Sequence, residues 1–429
     1  MNVTIVGIGM GMPDSLTVQA ADAICEATVL IGAKRMLDSA VDILADIGQE
    51  PPICIKAISA TQIAAVLADE VPDDRLKGVD MRQVCVVCSG DTGFYSLATS
   101  LIAKLEELQI PCGVTVLPGL TTVQVLASRL GRSWQNCKLA SAHGRDCDAL
   151  GLVLENEDLF LLTGGDQTPM TIISLLNEVG LGDVEVTVAE RLSYPDETIT
   201  TATAAELAGR EFNSLASMWI RHGQLCDDAV KGYVGFSGIP DDCFIRGDAP
   251  MTKAEVRGFI TSRLHPAAGE VVYDIGAGTG STSIETASLQ HFARVYAIEK
   301  EEAACALIEQ NRMHFGAYNL SVVPGRAPDA LDGLPAPDAV FVGGSTGNLE
   351  QILDAVLEAN PAARILVSAV TMETVAQTSS LLTSLEQAKR IGSFSATQLA
   401  ATRTKMLGHY HMLRPESPVF IFEATGIGA

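Results

Sequence analysis

Apolar and polar positions follow a repeating rhythm along this chain. A short apolar run is followed by a longer stretch whose apolar residues fall three or four apart. Over the first half the runs predict strands at 3–9, 84–89, 114–117, 159–163, 184–189 and 216–221. The stretches between predict helices at 17–26, 61–68, 96–108, 122–130 and 168–179. Strand followed by helix, again and again, predicts an α/β fold with largely parallel sheets. The turn "LPGLTT" at 117–122 lies midway and suggests a division into two lobes.

The rhythm is lost over 223–250, which is rich in Gly, Asp and Pro and reads as a linker. It returns after Met251. Strands are expected at 270–274, 295–298, 320–323, 339–342 and 364–368, with helices between them. Near the end, "SFSATQLAAT" and "PVFIFEATG" suggest an antiparallel edge. The expected organisation is a domain over 1–225, a linker over 226–246 and a second domain over 247–429. No low-complexity tract or short internal repeat is visible.

Composition narrows this picture. The 429 residues are 47% hydrophobic and 19% charged, ample for buried cores. No apolar run reaches the ~18 residues that cross a bilayer. The opening "MNVTIVGIG" reads as a strand rather than a signal peptide. Ten scattered cysteines lack the spacing of a stapled domain, so a cytoplasmic protein with reduced thiols is expected. Cys85 and Cys88 form C-x-x-C within a strand, where they point to opposite faces, so no metal site is expected there.

The formal net charge of −23 argues against nucleic acid as a partner. Within that acidic chain, Arg129, Arg132, Lys138, His143 and Arg145 follow one another with no carboxylate between them. They read either as a solvated basic face or as a place for substrate carboxylates.

The strongest chemical signal is "VVYDIGAGTGSTSIETA" at 271–287. An apolar run ends at Asp274 and enters Gly276, Ala277, Gly278, Thr279 and Gly280 before a helix. Glycines there permit positive φ and close approach of a ligand. Ser281 stands where a dinucleotide fingerprint would place its last glycine. Asp274 suits an ammonium group and would repel a pyrophosphate. Glu299 ends the next apolar run, "RVYAIE", where a carboxylate can hold ribose hydroxyls. An ammonium plus a ribose describes S-adenosylmethionine better than NAD. The pattern resembles the class I S-adenosylmethionine-dependent methyltransferases.

The flanks make the resemblance more specific. "MTKAEVR" (251–257), "GRAPDALDGLPAPDAVFVGG" (325–344) and "STGNL" (345–349) resemble the second half of the bifunctional precorrin-6Y C-5,15-methyltransferases (decarboxylating) of cobalamin biosynthesis. The resemblance covers nearly all of 245–425. It implies contacts to the cofactor from Thr252, the glycine turn, Glu299 and Ala327. Read from the residues alone, Thr252 is a helix N-cap in a capping box with Glu255. Gly343, Gly344 and Ser345 follow an apolar run, where backbone N–H groups could hold a substrate carboxylate or simply form a turn. Ser417 departs from the family, which tends to have asparagine before the final proline.

The opening "VGIGMGMPDSLT" (6–17) is a second glycine turn, and it lacks a downstream acid. With "CSGDTGFYSLA" (88–98), "LPGLTTVQVLASRLG" (117–131) and "SAHGR" (141–145) it resembles the tetrapyrrole methylases, within them the subgroup acting at C-5 of precorrin-6. Met10 stands where the family often has proline. The resemblance covers about 1–225 and implies a two-lobed α/β fold. It implies cofactor contacts from Gly90, Asp91, Thr92, Gly93, Thr121 and Thr122, and less specifically from 201–209. Asp91 also reads as a plain turn former. His143 and Arg145 are candidates for substrate carboxylates.

Together the resemblances imply two S-adenosylmethionine molecules per chain and a polyacidic tetrapyrrole substrate, with or without cobalt. They imply methylation at C-5 by the first domain, and methylation at C-15 with loss of CO2 from the ring C acetate by the second. They also imply a homo-oligomer, a tetramer through the second domain. The reading that remains open is a methyltransferase for another small molecule, carrying a degenerate first domain. No acid–base residue is singled out, since methyl transfer from a sulfonium to carbon mainly needs alignment and exclusion of water.

Overall fold

The computed structural model describes residues 1–69, 74–144, 147–345 and 347–427. The chain divides into two compact units. One comprises Met1–Cys147, Asp158–Ser174 and Asp183–Arg221, the other Asp148–Glu157, Leu175–Gly182 and His222–Ala429.

The chain begins β1 (Asn2–Gly7), α1 (Val18–Cys25), β2 (Val29–Gly32), α2 (Lys34–Asp46), β3 (Ile53–Lys56), α3 (Ala60–Leu67), β4 (Gln83–Cys88), α4 (Ala98–Glu107) and β5 (Gly113–Leu117). These strands form one sheet in the order β3-β2-β4-β1-β5, with every neighbour parallel. Both faces are covered, which is why the strands read as unbroken apolar runs. Val3 and Ile5 enter one core cluster and Val6 and Ile8 the other. Cys85 and Cys88 likewise separate to opposite faces.

The chain continues through α5 (Thr122–Leu130), β6 (Lys138–Ser141), α6 (Ala149–Glu155), β7 (Asp158–Leu162), α7 (Pro169–Glu178), β8 (Glu185–Glu190), β9 (Thr198–Thr203) and β10 (Ala216–Arg221). The second sheet runs β6-β7-β10-β8-β9. Here the expectation of parallel strands fails. Only β6 and β7 are parallel; β10 lies antiparallel to β7 and β8, and β8 to β9. The helix α5 begins with a capping box between Thr121 and Gln124, and ends at Gly131 in the left-handed conformation.

The second unit holds α8 (Ala254–Leu264), β11 (Val271–Ile275), α9 (Ser281–Leu289), β12 (Arg294–Glu299), α10 (Glu302–Phe315), β13 (Leu320–Pro324), β14 (Ala339–Val342), α11 (Leu349–Ala359), β15 (Arg364–Ala369), α12 (Met372–Gln387), β16 (Ile391–Leu399), β17 (Thr402–Leu407), β18 (Tyr410–Pro415) and β19 (Val419–Gly426). Its main sheet runs β13-β12-β11-β14-β15-β19-β16, parallel except for β19, which is antiparallel to both neighbours. The strands β17 and β18 form a separate hairpin.

The stretch that reads as a linker is more than a tether. Val230, Ile239 and Phe244 are buried in the core of the second unit. The apolar residues here come in short runs broken by Gly, Asp and Pro, too irregular to show a helix or strand period.

Candidate functional site

In the second unit the sheet order reverses at β11, whose neighbours are β12 and β14. Open α/β sheets bind ligands outside the carboxyl ends of the strands at such a point. The glycine turn sits there. Gly276, Gly278 and Gly280 have φ of +75°, +60° and +74°. A Cβ on Gly276 would lie 2.6 Å from the carbonyl of Gly344, and one on Gly278 would lie 2.7 Å from that of Pro250. Only glycine fits either place.

The hydrogen bonds of the turn decide what it offers. Gly276 and Ala277 donate to the carbonyl of Ile298, at 2.9 and 3.2 Å. Gly278 donates to Glu299 Oε2 at 2.8 Å, and Gly280 to the carbonyl of Ala277. These N–H groups are therefore engaged within the protein, so the close approach that the glycines permit does not rest on these donors. What remains at the turn is shape, carbonyl oxygens and two carboxylates.

Asp274 is 2% exposed and lies beneath the turn. Its Oδ2 accepts from the Ser283 hydroxyl, while Oδ1 has no partner. Burial pushes its carboxyl up to about 6, helped by the charge of Glu299 and opposed by the Ser283 bonds. Glu299 is pinned facing the turn. Besides Gly278, it accepts from the N–H groups of Lys300 and Glu301, at 2.8 and 3.1 Å. A carboxylate offers roughly four acceptor positions, so about one is open. A two-pronged grip on a diol would require exchanging one existing bond.

Thr252, Ala327 and Thr279 are placed in different ways. Thr252 is not the N-cap of α8; Lys253 is, without a side-chain bond. The capping-box expectation fails because Asp241 Oδ1 takes the N–H of Ala254 instead, at 3.0 Å. The carbonyl of Thr252 accepts from Arg257 Nη1 at 2.6 Å. Ala327 is buried with Ile275 and Ile298. Thr279 is fully buried with its hydroxyl unpartnered.

Gly343 and Gly344 both donate to the carbonyl of Ile275, at 2.9 and 3.3 Å. That corrects the idea that their N–H groups hold a substrate carboxylate. Ser345, half-buried, follows them.

Behind this turn lies a buried ion pair. Arg257 and Glu285 are both fully buried and paired through Arg257 Nε. Glu285 also accepts from the N–H groups of Gly238 and Ile239. Arg257 stacks 4.6 Å from the Phe244 ring centroid. The pair thus ties the 238–252 segment to α9 beside the glycine turn.

In the first unit, three loops meet at the carboxyl ends of β1, β4 and β5. A Cβ on Gly119 would lie 2.5 Å from the carbonyls of both Gly7 and Gly90. The floor so formed borders a cavity of about 470 Å³ lined by Met10, Gly90, Thr122 and His143 among others. Other expected residues stand behind it. Asp91 accepts from Gly93 N–H at 2.7 Å and Gly119 N–H at 3.0 Å, a turn former that joins two loops. Thr92 is buried and donates to the carbonyl of Leu117 at 3.3 Å. Thr121 caps α5.

The basic run does not gather. Arg129 pairs with Glu197 and Arg132 with Glu185. Only His143 of that run reaches the cavity among the described residues; Arg145 lies outside them.

Comparison with known proteins bears on both units. Residues 2–208 match the family described as Tetrapyrrole (Corrin/Porphyrin) Methylases. Residues 242–426 match the family described as Precorrin methyltransferase domain. A Sinorhizobium protein named precorrin-6Y C(5,15)-methyltransferase [decarboxylating] is 30% identical over 86% of this chain and 85% of its own. The chain belongs to the precorrin-6Y C(5,15)-methyltransferase family.

Shorter relatives match part of it. A cobalt-precorrin-6B C(15)-methyltransferase (decarboxylating) of Salmonella typhimurium is 36% identical over 43% of this chain and 93% of its own. A crystal structure described as precorrin-6y C5,15-methyltransferase from Geobacter metallireducens is 36% identical, with a TM-score of 0.40, covering 44% of this chain and 95% of that one.

For a precorrin-6Y methyltransferase, the sequence reading overlooks Arg35, which lines the first cavity. No local motif marks it. Its partners Ser89 and Tyr194 lie 54 and 159 residues away. It also overlooks the Arg257–Glu285 pair. Its signal was present: charged residues at otherwise helix-facing positions of "AEVRGFI" and "STSIETA".

Proposed function

We infer that this chain methylates a precorrin-6Y-type tetrapyrrole at C-5 and C-15 and decarboxylates its ring C acetate, as a step of cobalamin biosynthesis. The observation that carries the reading is the match to a bifunctional precorrin-6Y methyltransferase across both units. We assign C-5 to the domain over 1–225 and C-15 with decarboxylation to the domain over 247–429, joined by 226–246. Two S-adenosylmethionine molecules per chain and a homo-oligomeric assembly belong to the same proposal.

The second site fits this cofactor on its own chemistry. The N–H groups of Gly276, Ala277, Gly278 and Gly280 are engaged within the protein, and the site adds two carboxylates, Asp274 and Glu299. A pyrophosphate would meet negative charge and few donors there. An ammonium-bearing, ribose-bearing cation meets complementary acceptors. Asp274, Gly276 to Gly280, Glu299, Thr252 and Ala327 are the residues we assign to it. In the first unit the corresponding assignment rests on Gly90 and Thr122, with Asp91, Thr92, Gly93 and Thr121 holding their loops.

When bound, S-adenosylmethionine supplies a methyl group already activated on sulfur. The chain's own residues position and shield. The glycine turn allows close approach, the carboxylates orient, and the Arg257–Glu285 pair holds the 238–252 segment in place. Alignment of this kind accounts for most of what such a transfer needs.

Mass spectrometry of the product tests the reading. Incubation with the tetrapyrrole and S-adenosylmethionine should add two methyl groups and remove one CO2. Consumption of the cofactor on another acceptor, with the tetrapyrrole unchanged, would contradict it.

A further inference from the structure

Arg35 stands at the second position of α2, and its side chain lines the cavity of the first unit. Nη1 donates to the Tyr194 hydroxyl at 2.7 Å and Nη2 to the Ser89 hydroxyl at 3.1 Å. Both partners are neutral. Among the described residues no carboxylate pairs with Arg35, and none lines the cavity. Several neighbouring basic residues of the unit differ in this respect. Lys34 next to it pairs with Asp38. Arg82, Arg129, Arg132, Arg191 and Arg221 of the same unit each pair with a carboxylate.

The chain has 52 acidic residues against 29 basic ones. Carboxylates are plentiful, yet the cavity keeps this cation without one. The hydroxyls hold its plane while leaving other N–H donors available. A guanidinium so oriented matches a carboxylate in two-pronged fashion. The walls are apolar residues such as Met36, Phe94 and Leu162 together with uncharged hydroxyls, which leaves Arg35 as the one Arg or Lys facing the space among the described residues.

We propose that Arg35 is the carboxylate-binding residue of the first site, and that it receives an acidic side chain of the tetrapyrrole. The proposal rests on the reading of this unit as the C-5 methylating half. The net charge of the chain repels a polyanion at long range, so a local uncancelled cation gives both attraction and orientation. The methionine carboxylate of the cofactor is the other source of the same chemistry, and the test separates the two.

The experiment compares the full-length wild type with Arg35→Gln, Arg35→Lys and Tyr194→Phe. KM for the tetrapyrrole is measured separately for C-5 and C-15 methylation, and cofactor affinity by calorimetry. Arg35→Gln should raise the C-5 KM about tenfold or more, the scale of a lost charge-assisted bond. The C-15 KM should stay unchanged, and an unaltered circular dichroism spectrum and urea-unfolding profile report intact folding of the first unit. Arg35→Lys should recover part of the loss. Tyr194→Phe, which removes one of the two hydroxyls that hold the guanidinium and keeps the cation, should raise the C-5 KM less than Arg35→Gln does and leave its salt dependence in place. The wild-type C-5 KM should rise with salt more steeply than that of Arg35→Gln.

Weakened cofactor binding with an unchanged tetrapyrrole KM would overturn the tetrapyrrole as the source and assign the carboxylate to the cofactor. If Tyr194→Phe matched Arg35→Gln, Arg35 would be a structural latch and the proposal would fall. An unaffected C-5 KM in Arg35→Gln would also overturn it while leaving the assigned function intact. A wild type that places no methyl at C-5 would sink the assigned function, and this proposal with it.

Discussion

Two carboxylates with different environments define the second site at the scale of single residues. Asp274 is buried with an unpartnered oxygen, and its carboxyl is pushed up to about 6. Glu299 is surrounded by three backbone donors. If ionised Asp274 favours the bound cation, affinity follows its ionised fraction. Cofactor affinity at this site should hold above pH 7 and weaken about tenfold per unit below pH 6. Asp274→Asn should weaken binding and flatten that dependence, and calorimetry at several pH values checks both. The unliganded protein should show the opposite sign. A carboxyl raised by burial favours the fold below its unfolded value, and that increment is lost as pH rises through about 6. The glycines and both acids were legible in the sequence, because chain neighbours make that turn. Arg35 was not, since its place depends on side chains brought together from α2 and from distant loops.

At the scale of elements, each unit has a glycine contact that tolerates no side chain. Gly119→Ala would drive a Cβ against the carbonyls of Gly7 and Gly90. It should lower C-5 methylation at least tenfold and leave C-15 methylation in place. Gly278→Ala, strained at φ +60° and against Pro250, should do the reverse. Product analysis of each variant distinguishes them. The helix α8 carries a third expectation. Arg257→Met leaves Glu285 buried without its cation and should cost about 3–5 kcal/mol, with the Arg257→Met, Glu285→Met double variant recovering part of it. Urea unfolding measures the difference; a loss below about 1 kcal/mol, the range of an exposed pair, would contradict the account. Long alternating elements were legible. The strands β2, β3 and β6 were not, since four-residue runs such as "VLIG" or "KLAS" carry too little periodicity. The helix α2 could have been found. Met36, Leu37, Ala40, Ile43 and Leu44 fall on helical spacing and are all buried. The antiparallel second sheet was hidden because alternation of strand and helix does not reveal pairing direction.

For the whole molecule, the account is one chain with two methylating halves, each with its own glycine-floored site. The division into two units, and separate family matches over 2–208 and 242–426, give that account its frame. The measurement that tests it most directly is a calorimetric titration of the full chain with S-adenosylmethionine, with NAD as a control. The account predicts two sites per chain and no binding of NAD. It predicts that Glu299→Ala removes one site and leaves the other. A single site, abolished by Glu299→Ala, would contradict the claim of two working halves; binding of NAD at the second site would contradict the reading of Asp274 and Glu299 themselves.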